Sequence, residues 1–232
     1  MMNKFKTFLS VAVIAATAMS AYGQSRDWGQ LERYDKDNKV LISDKNRKTK
    51  VVFIGNSITD NWASMRPQFF ADNNFVGRGI SGQTSYQFLV RFREDVVNLS
   101  PEAVVINTGT NDVAENTGPY DEDRTFGNIL SMVEIAKANG IKVILSTVLP
   151  AKEFGWNPSI KDAPEKINSL NRRLKEFAKK NKLAFIDYHT PLLAPDNVSL
   201  NPAYCNDGVH PTEAGYEIME QTVLPIIKKV TK

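Results

Sequence analysis

The sequence predicts a three-layer α/β/α sandwich around a central, mainly parallel sheet of five strands. Five short and continuous apolar runs are typical of strands that are buried on both faces. Segments with one apolar helical face separate these runs, and that alternation indicates right-handed crossovers between parallel strands. The runs cover residues 51–54, 75–80, 103–106, 143–145 and 183–186.

The predicted helices fill the intervals and follow the last strand. An apolar stripe over residues 126–136 stops before Gly140, and glycine favours a helix end. A second stripe over residues 167–177 has basic side chains on its other faces, and Pro164 stands in its first turn, where proline is tolerated. A last helix is expected to begin near Thr212.

Length and composition indicate one globular domain, since 42% of the 232 residues are hydrophobic and 24% are charged. Residues 1–23 combine Lys4 and Lys6, a short apolar run and small residues before Gln24. This pattern predicts a secretory signal peptide, followed by a single domain over residues 24–232. A membrane anchor is the alternative, but the apolar run is shorter than the roughly 20 residues that span a bilayer.

Charge and cysteine content exclude several classes of function. Removal of Lys4 and Lys6 leaves 27 basic residues against 26 acidic ones, so the exported chain has a net charge of about +1. A nearly neutral surface gives no basic footprint for nucleic acid or for anionic lipid. Cys205 is the only cysteine, so no internal disulfide can form, and we expect it to pack as a small residue.

The segment from Asp207 to His210 is the most informative motif, because His210 is one of only two histidines. A carboxylate beside a histidine is half of a hydrolytic triad, although many Asp-x-x-His pairs only cap a helix. Ser57, directly after the first strand, offers a nucleophile at the start of a helix. Ser57 and Thr59 at that position are equally suited to holding a phosphate.

Two further strand ends add polar groups at the same sheet edge. Gly82 follows the second strand, and its backbone N–H can approach a substrate without a side chain in the way. Thr84 or Ser85 can cap the helix that follows. Asn111 follows the third strand, and its amide can donate to a developing oxyanion. Together these are the parts that acyl transfer needs.

These residues resemble the SGNH subgroup of the GDSL hydrolases. The resemblance covers the chain from about residue 50 to its end, with four blocks in the family's order: Gly55-Asn56-Ser57, Gly79-Ile80-Ser81-Gly82, Gly109-Thr110-Asn111-Asp112 and Asp207-Gly208-Val209-His210-Pro211. It implies the flavodoxin-like SGNH hydrolase fold and a serine esterase that uses no metal and no cofactor.

The resemblance also implies a role for each matched residue. Ser57 is the expected nucleophile, His210 its base, and Asp207 the carboxylate that orients the imidazole. The backbone N–H groups of Ser57 and Gly82, with the side chain of Asn111, are the expected oxyanion hole.

One position departs from the family, which usually has Asp where this chain has Asn56. An amide keeps a hydrogen bond to the turn but carries no charge. The other histidine, His189, is expected to be structural, because the nearby Asp187 would project to the opposite side of a strand.

Aromatic residues near the expected site indicate the substrate class. Trp62, Trp156 and Tyr204 are candidate substrate contacts, since aromatic faces with polar neighbours suit a sugar ring. The resemblance extends to bacterial acylhydrolases similar to platelet-activating-factor acetylhydrolases and implies a small acyl group such as acetyl. We therefore expect an exported bacterial esterase, periplasmic or extracellular, that removes small acyl groups, above all acetyl groups on carbohydrates. A phospholipid or lysophospholipid acylhydrolase, a thioesterase and a non-catalytic glycan- or phosphate-binding module remain as alternatives.

Overall fold

The computed structural model describes residues 27–44, 46 and 49–231 of the chain. The predicted signal peptide therefore lies outside the described residues. Five strands form one sheet: β1 (Val51–Gly55), β2 (Phe75–Gly79), β3 (Ala103–Ile106), β4 (Lys142–Ser146) and β5 (Ala184–Ile186). The order in the sheet is β2-β1-β3-β4-β5 and every pairing is parallel, so the predicted sheet is confirmed.

Helices connect the strands and cover both faces of the sheet. In chain order they are α1 (Asp35–Ser43), α2 (Ser57–Met65), α3 (Pro67–Asp72), α4 (Ser85–Asp95), α5 (Thr110–Val113), α6 (Glu122–Ala138), α7 (Ala163–Lys180), α8 (His189–Leu192) and α9 (Glu213–Val230). Short 3₁₀ turns occupy Leu31–Tyr34 and Val97–Leu99. No helix in the described part of the chain is both long and apolar enough to cross a bilayer.

Two hydrophobic clusters lie on opposite faces of the sheet. Successive side chains of a strand point to opposite faces. In β1, Val52 and Ile54 accordingly join the cluster that includes α4, α6 and α7. Val51 and Phe53 join the cluster that includes α2, α3 and α9. The strands are therefore buried on both faces, which explains their continuous apolar runs and confirms the three-layer sandwich.

The sheet also contains a topological switch point. The chain leaves β1 toward β2 and then crosses to β3 on the other side of β1. In open α/β sheets the crevice outside the carboxyl ends of the strands at such a point is the usual ligand site. The loops after β1, β2 and β3 meet there.

A fully buried guanidinium ties these strand ends together. Arg91, on α4, donates to the carbonyl oxygen of Gly55 (2.9 Å), which is the last residue of β1. It also donates to the carbonyl oxygen of Arg78 in β2 (2.9 Å) and to the side-chain oxygen of Gln83 (2.6 Å). Asp95, one turn further along α4, balances its charge at 2.8 Å.

We expect Arg91→Met to destabilise the protein by about 3–5 kcal/mol, because it leaves the buried Asp95 carboxylate without its counter-charge. The additional change Asp95→Leu should restore part of that loss. Urea unfolding followed by circular dichroism measures both. Arg93→Met is the matched control, since Arg93 lies exposed on the same helix. Equal midpoints for Arg91→Met and Arg93→Met would contradict this account.

Candidate active site

The loops at the carboxyl edge of the sheet enclose a cleft of about 400 Å³. It brings together residues that are far apart in the sequence, from the ends of three strands, from the long loop after β4 and from the segment before α9. The lining residues are Ser57, Asn61, Ser81, Gly82, Asn111, Asn116, Trp156 and His210.

Ser57, His210 and Asp207 form a continuous chain of hydrogen bonds in this cleft. The Ser57 Oγ atom lies 2.8 Å from His210 Nε2, and His210 Nδ1 lies 2.6 Å from Asp207 Oδ2. A carboxylate only accepts hydrogen bonds, so the imidazole proton belongs on Nδ1 and Nε2 is left to accept from the serine hydroxyl. This is the geometry of a serine nucleophile with a histidine base.

Asp207 performs two tasks with its two carboxylate oxygens. Its Oδ2 atom faces the imidazole, whereas Oδ1 accepts from the backbone N–H groups of Val209 (2.9 Å) and His210 (2.8 Å). Burial by itself would raise the pKa of Asp207, but the hydrogen bonds from His210 and Val209 outweigh it and lower that pKa. The carboxylate is therefore ionised at neutral pH and aimed at His210.

Ser57 stands at the first position of α2, and Asn56 caps that helix. The Asn56 side-chain oxygen accepts from the backbone N–H of Ile58 at 3.0 Å, and Asn56 is 1% exposed. The amide at the position that departs from the family thus makes the hydrogen bond that a carboxylate there would make. The N–H of Ser57 lies in the first turn of the helix, where backbone donors have no helical acceptor.

Gly82 and Asn111 both line the cleft. Gly82 has a φ of 80°, in the left-handed region that glycine adopts without strain. The Asn111 side-chain nitrogen donates to the carbonyl oxygen of Gln83 at 2.9 Å. An amide nitrogen carries two N–H groups, so this bond leaves one for a ligand. The capping prediction for the next helix is confirmed, since Thr84 and Gln87 form a capping box on α4.

The structure adds a buried carboxylate that the sequence interpretation passed over. Asp112 accepts from the backbone N–H of Ser85 (3.1 Å) and from its hydroxyl group, which also accepts from Asn128. Burial raises the pKa of Asp112, and the hydrogen bonds from Ser85 oppose the shift. Asp112 thereby fixes the first turn of α4 to the segment that carries Asn111. Its position beside Asn111 was the one signal available in the sequence.

The structure places the aromatic candidates for substrate contact in different surroundings. Trp156 lines the cleft and is 48% exposed. The prediction for Trp62 is wrong, because this side chain is 1% exposed, stacks on Phe69 and Tyr216 in the core, and donates to Glu220.

Tyr204, the third aromatic candidate, is also not among the residues that line the cleft. It is partly buried against the cluster that includes α9. Its expected substrate contact stays a prediction. Trp156 is the aromatic candidate that lines the cleft.

His189 and Cys205 lie apart from the cleft lining. His189 begins α8, its backbone N–H donates to Thr147 Oγ1 (2.9 Å), and burial lowers its pKa against the opposing effect of Asp187. Cys205 is buried, and its sulfur accepts from the backbone N–H of Gly208 (3.1 Å). Among the described residues, no group of three or more His, Cys, Asp or Glu side chains could hold a metal ion.

Comparisons with known proteins find similarity to the GDSL-like acylhydrolases. The model of the GDSL-like Lipase/Acylhydrolase family matches residues 53–218. A provisionally assigned acylhydrolase from Bacteroides fragilis is 60% identical, with a TM-score of 0.87 over 90% of this chain and 100% of that one. A GDSL-like lipase from Bacteroides thetaiotaomicron is 58% identical, with a TM-score of 0.84 over 87% of this chain and 98% of that one.

Two of the curated relatives are more distant in sequence and longer than this chain. An acetylxylan esterase from Xylanibacter ruminicola is 25% identical over 82% of this chain. The chain spans 45% of the length of that relative and 40% of the length of another.

We expect Asn56→Ala to lower the free energy of unfolding by about 1 kcal/mol, because it removes the cap of α2. Asn56→Asp should lie closer to the wild type, since a carboxylate can accept the same bond and suits a helix N-terminus. Urea unfolding measures both, with Asn98→Ala as a control at an exposed asparagine. A loss in Asn56→Asp as large as that in Asn56→Ala would refute the capping role.

Proposed function

Since this chain belongs to the GDSL-like lipase/acylhydrolase family and is therefore a hydrolase that acts on esters, we propose that it is a serine esterase for small acyl groups. Its preferred substrates are O-acetyl groups on carbohydrates. The observation that carries this proposal is the hydrogen-bonded chain from Ser57 through His210 to Asp207 at the floor of a cleft.

In the proposed reaction, Ser57 Oγ attacks the ester carbonyl carbon while its proton passes to His210 Nε2. Asp207 stabilises the imidazolium that forms. The tetrahedral intermediate then collapses, and the bond to the alcohol oxygen breaks as His210 returns the proton to it. A water molecule, deprotonated by His210, then attacks the acyl-serine. The bond between the acyl carbon and Ser57 Oγ breaks as His210 returns the proton to Oγ, which releases the carboxylic acid and restores the Ser57 hydroxyl.

The oxyanion formed in each step needs donors that are already in place. We assign this role to the N–H groups of Ser57 and Gly82 and to the side chain of Asn111, which come from the ends of β1, β2 and β3. Such donors act strongly because they are preorganised, and losing one typically lowers turnover by about 10²–10³-fold.

A small acyl group is favoured by the composition of the cleft. Apart from Ser57 and His210, its lining consists of Ser81, Gly82, three asparagines and one tryptophan. A long acyl chain would find few apolar side chains to bury it, whereas an acetyl group needs little apolar contact.

The exposed ring of Trp156 supports a carbohydrate as the alcohol half. An aromatic face flanked by the Asn61 and Asn116 amides offers stacking for a sugar ring and hydrogen bonds for its hydroxyl groups. The similarity to an acetylxylan esterase points the same way. The proposal includes export to the periplasm or the cell exterior, since residues 1–23 have the pattern of a secretory signal peptide ahead of one domain over residues 24–232.

We expect a fluorophosphonate probe to label the folded protein at pH 8 and to leave Ser57→Ala unlabelled. Ser57→Ala and His210→Ala should each lower kcat/KM for p-nitrophenyl acetate by about 10⁴-fold or more, whereas Asp207→Ala should retain more activity. Ser64→Ala, at an exposed serine on α2, is the matched control.

Two results would count against this assignment. An unlabelled wild-type protein would favour a non-catalytic binding module. Equal and complete loss in all three variants would contradict the ranking of Asp207.

We expect hydrolysis of p-nitrophenyl esters to fall at least 10-fold between butyrate and octanoate, because Trp156 is the one large apolar side chain among the described residues of the lining and additional methylene groups have little else to pack against. Acetylated xylo-oligosaccharides should be hydrolysed faster than lysophospholipids under the same conditions. Steady-state assays with Ser57→Ala as the blank measure both. A rate that rises with chain length, together with release of fatty acid from lysophospholipids, would favour the lipid acylhydrolase.

A further inference from the structure

Asn116 connects two parts of the cleft that belong to different loops. It lies in the turn after α5, where its backbone N–H donates to the carbonyl oxygen of Asn111 at 3.0 Å. The residue before it, Glu115, has a φ of 61°, so the chain turns sharply and the Asn116 side chain lines the cleft.

The side-chain amide of Asn116 makes two hydrogen bonds, one as a donor and one as an acceptor. Its Nδ2 atom donates to the carbonyl oxygen of Gly82 at 3.0 Å, and its Oδ1 atom accepts from the indole N–H of Trp156 at 2.9 Å. A carbonyl oxygen can only accept and an indole N–H can only donate. The two partners therefore fix the orientation of the amide and require both of its functions.

Asn116 holds the peptide group that directly follows the Gly82 donor, because the carbonyl oxygen of Gly82 belongs to the Gly82–Gln83 peptide and its N–H belongs to the peptide before. Gly82 has no side chain, its backbone is in the left-handed region, and a Cβ atom there would meet nothing within 4 Å. Backbone and side-chain groups hold the rest of this stretch, since Gln83 N donates to Ile80 O (3.3 Å), Ile80 N donates to Gly55 O (3.0 Å) and Gln83 O accepts from Asn111 (2.9 Å). Among the described residues, the carbonyl of Gly82 accepts its hydrogen bond from Asn116.

Trp156 is held in a comparable way on the other side of the cleft. Its ring lies 5.2 Å from the Phe154 ring and 6.3 Å from the His210 ring, measured between centroids. The ring is about half exposed, so packing alone leaves it room to rotate, and the bond to Asn116 sets its angle.

We propose that Asn116 is a positioning residue that aligns the Gly82 oxyanion donor and the Trp156 ring with one amide group. The inference rests on the proposed function and extends it, since it assigns the acyl half of the ester to the Gly82 side of Asn116 and the sugar half to the Trp156 side. Substrate that stacks on Trp156 then meets an oxyanion hole held by the same side chain.

Substitutions of Asn116 separate its two hydrogen bonds, because Asp keeps only the acceptor of the amide and Leu keeps neither donor nor acceptor. Asn116→Asp can still accept from Trp156 but cannot donate to Gly82, and its charge repels that carbonyl oxygen. Asn116→Leu removes both bonds at similar volume. Trp156→Phe keeps a smaller aromatic ring and removes the five-membered ring of the indole together with its N–H.

The test compares kcat and KM for p-nitrophenyl acetate and for an acetylated xylo-oligosaccharide. Each protein is assayed at its own optimal pH, so that the charge added in Asn116→Asp does not dominate the difference in rate. Asn116→Asp and Asn116→Leu should lower kcat about 10-fold or more on both esters, less than the full loss of an oxyanion donor. Trp156→Phe should act mainly by raising KM for the xylo-oligosaccharide. Asn116→Gln, which keeps an amide, should recover part of the kcat lost in Asn116→Leu.

Asn181→Asp is the matched control, because Asn181 is an exposed asparagine that donates to the carbonyl oxygen of Phe177 (2.9 Å) at the end of α7. Fluorophosphonate labelling of the wild type reports on the proposed function independently. If the wild type is labelled and both Asn116→Asp and Asn116→Leu keep the kcat of Asn181→Asp, the positioning role is overturned.

Discussion

The buried guanidinium of Arg91 is the interaction on which the geometry of the cleft depends. Acyl transfer requires the nucleophile and the oxyanion donors to be held within fractions of an ångström, and loops at a sheet edge do not reach that precision alone. Arg91 binds Gly55, two residues before Ser57, and Gln83, directly after Gly82. The planar guanidinium group, whose dimensions are fixed, thus sets the spacing between the two loops. Its burial among carbonyl groups makes that spacing rigid.

The carboxylates around the site divide into two kinds according to their surroundings. Asp112 is buried behind the cleft and holds the start of α4, and its raised pKa reflects the removal of water. The side chain of Asp207 is 54% exposed, yet hydrogen bonds lower its pKa and fix its direction. Orientation of the imidazole therefore depends on backbone donors of the Asp207 loop and does not require a dry environment.

The sequence was sufficient for the sheet and for the residues at its strand ends, because both follow from local patterns. Runs such as Val51–Gly55 show burial directly, and parallel strands bring their carboxyl ends to one edge. The prediction for Trp62 failed because closeness to Ser57 in the sequence does not show which face of the helix a residue occupies. Five residues beyond Ser57 on α2, it points about 140° away from the nucleophile and into the core. Asn116 was missed because an exposed asparagine in a turn is unremarkable until its contacts with Gly82 and Trp156, which come from distant segments, are known.

In the proposed binding mode, the two halves of the ester meet different kinds of structure. The acyl half faces groups at strand ends and helix starts, whose positions are fixed by the sheet and by buried bonds such as those of Arg91 and Asp112. The alcohol half faces Trp156, on the long loop between β4 and α7, and such loops can change without disturbing the core. A site built in this way can keep its chemistry while its alcohol specificity varies. In the role that we propose for Asn116, its amide joins this loop to the strand ends through its bonds to Trp156 and Gly82, and the sugar half influences the chemistry through it.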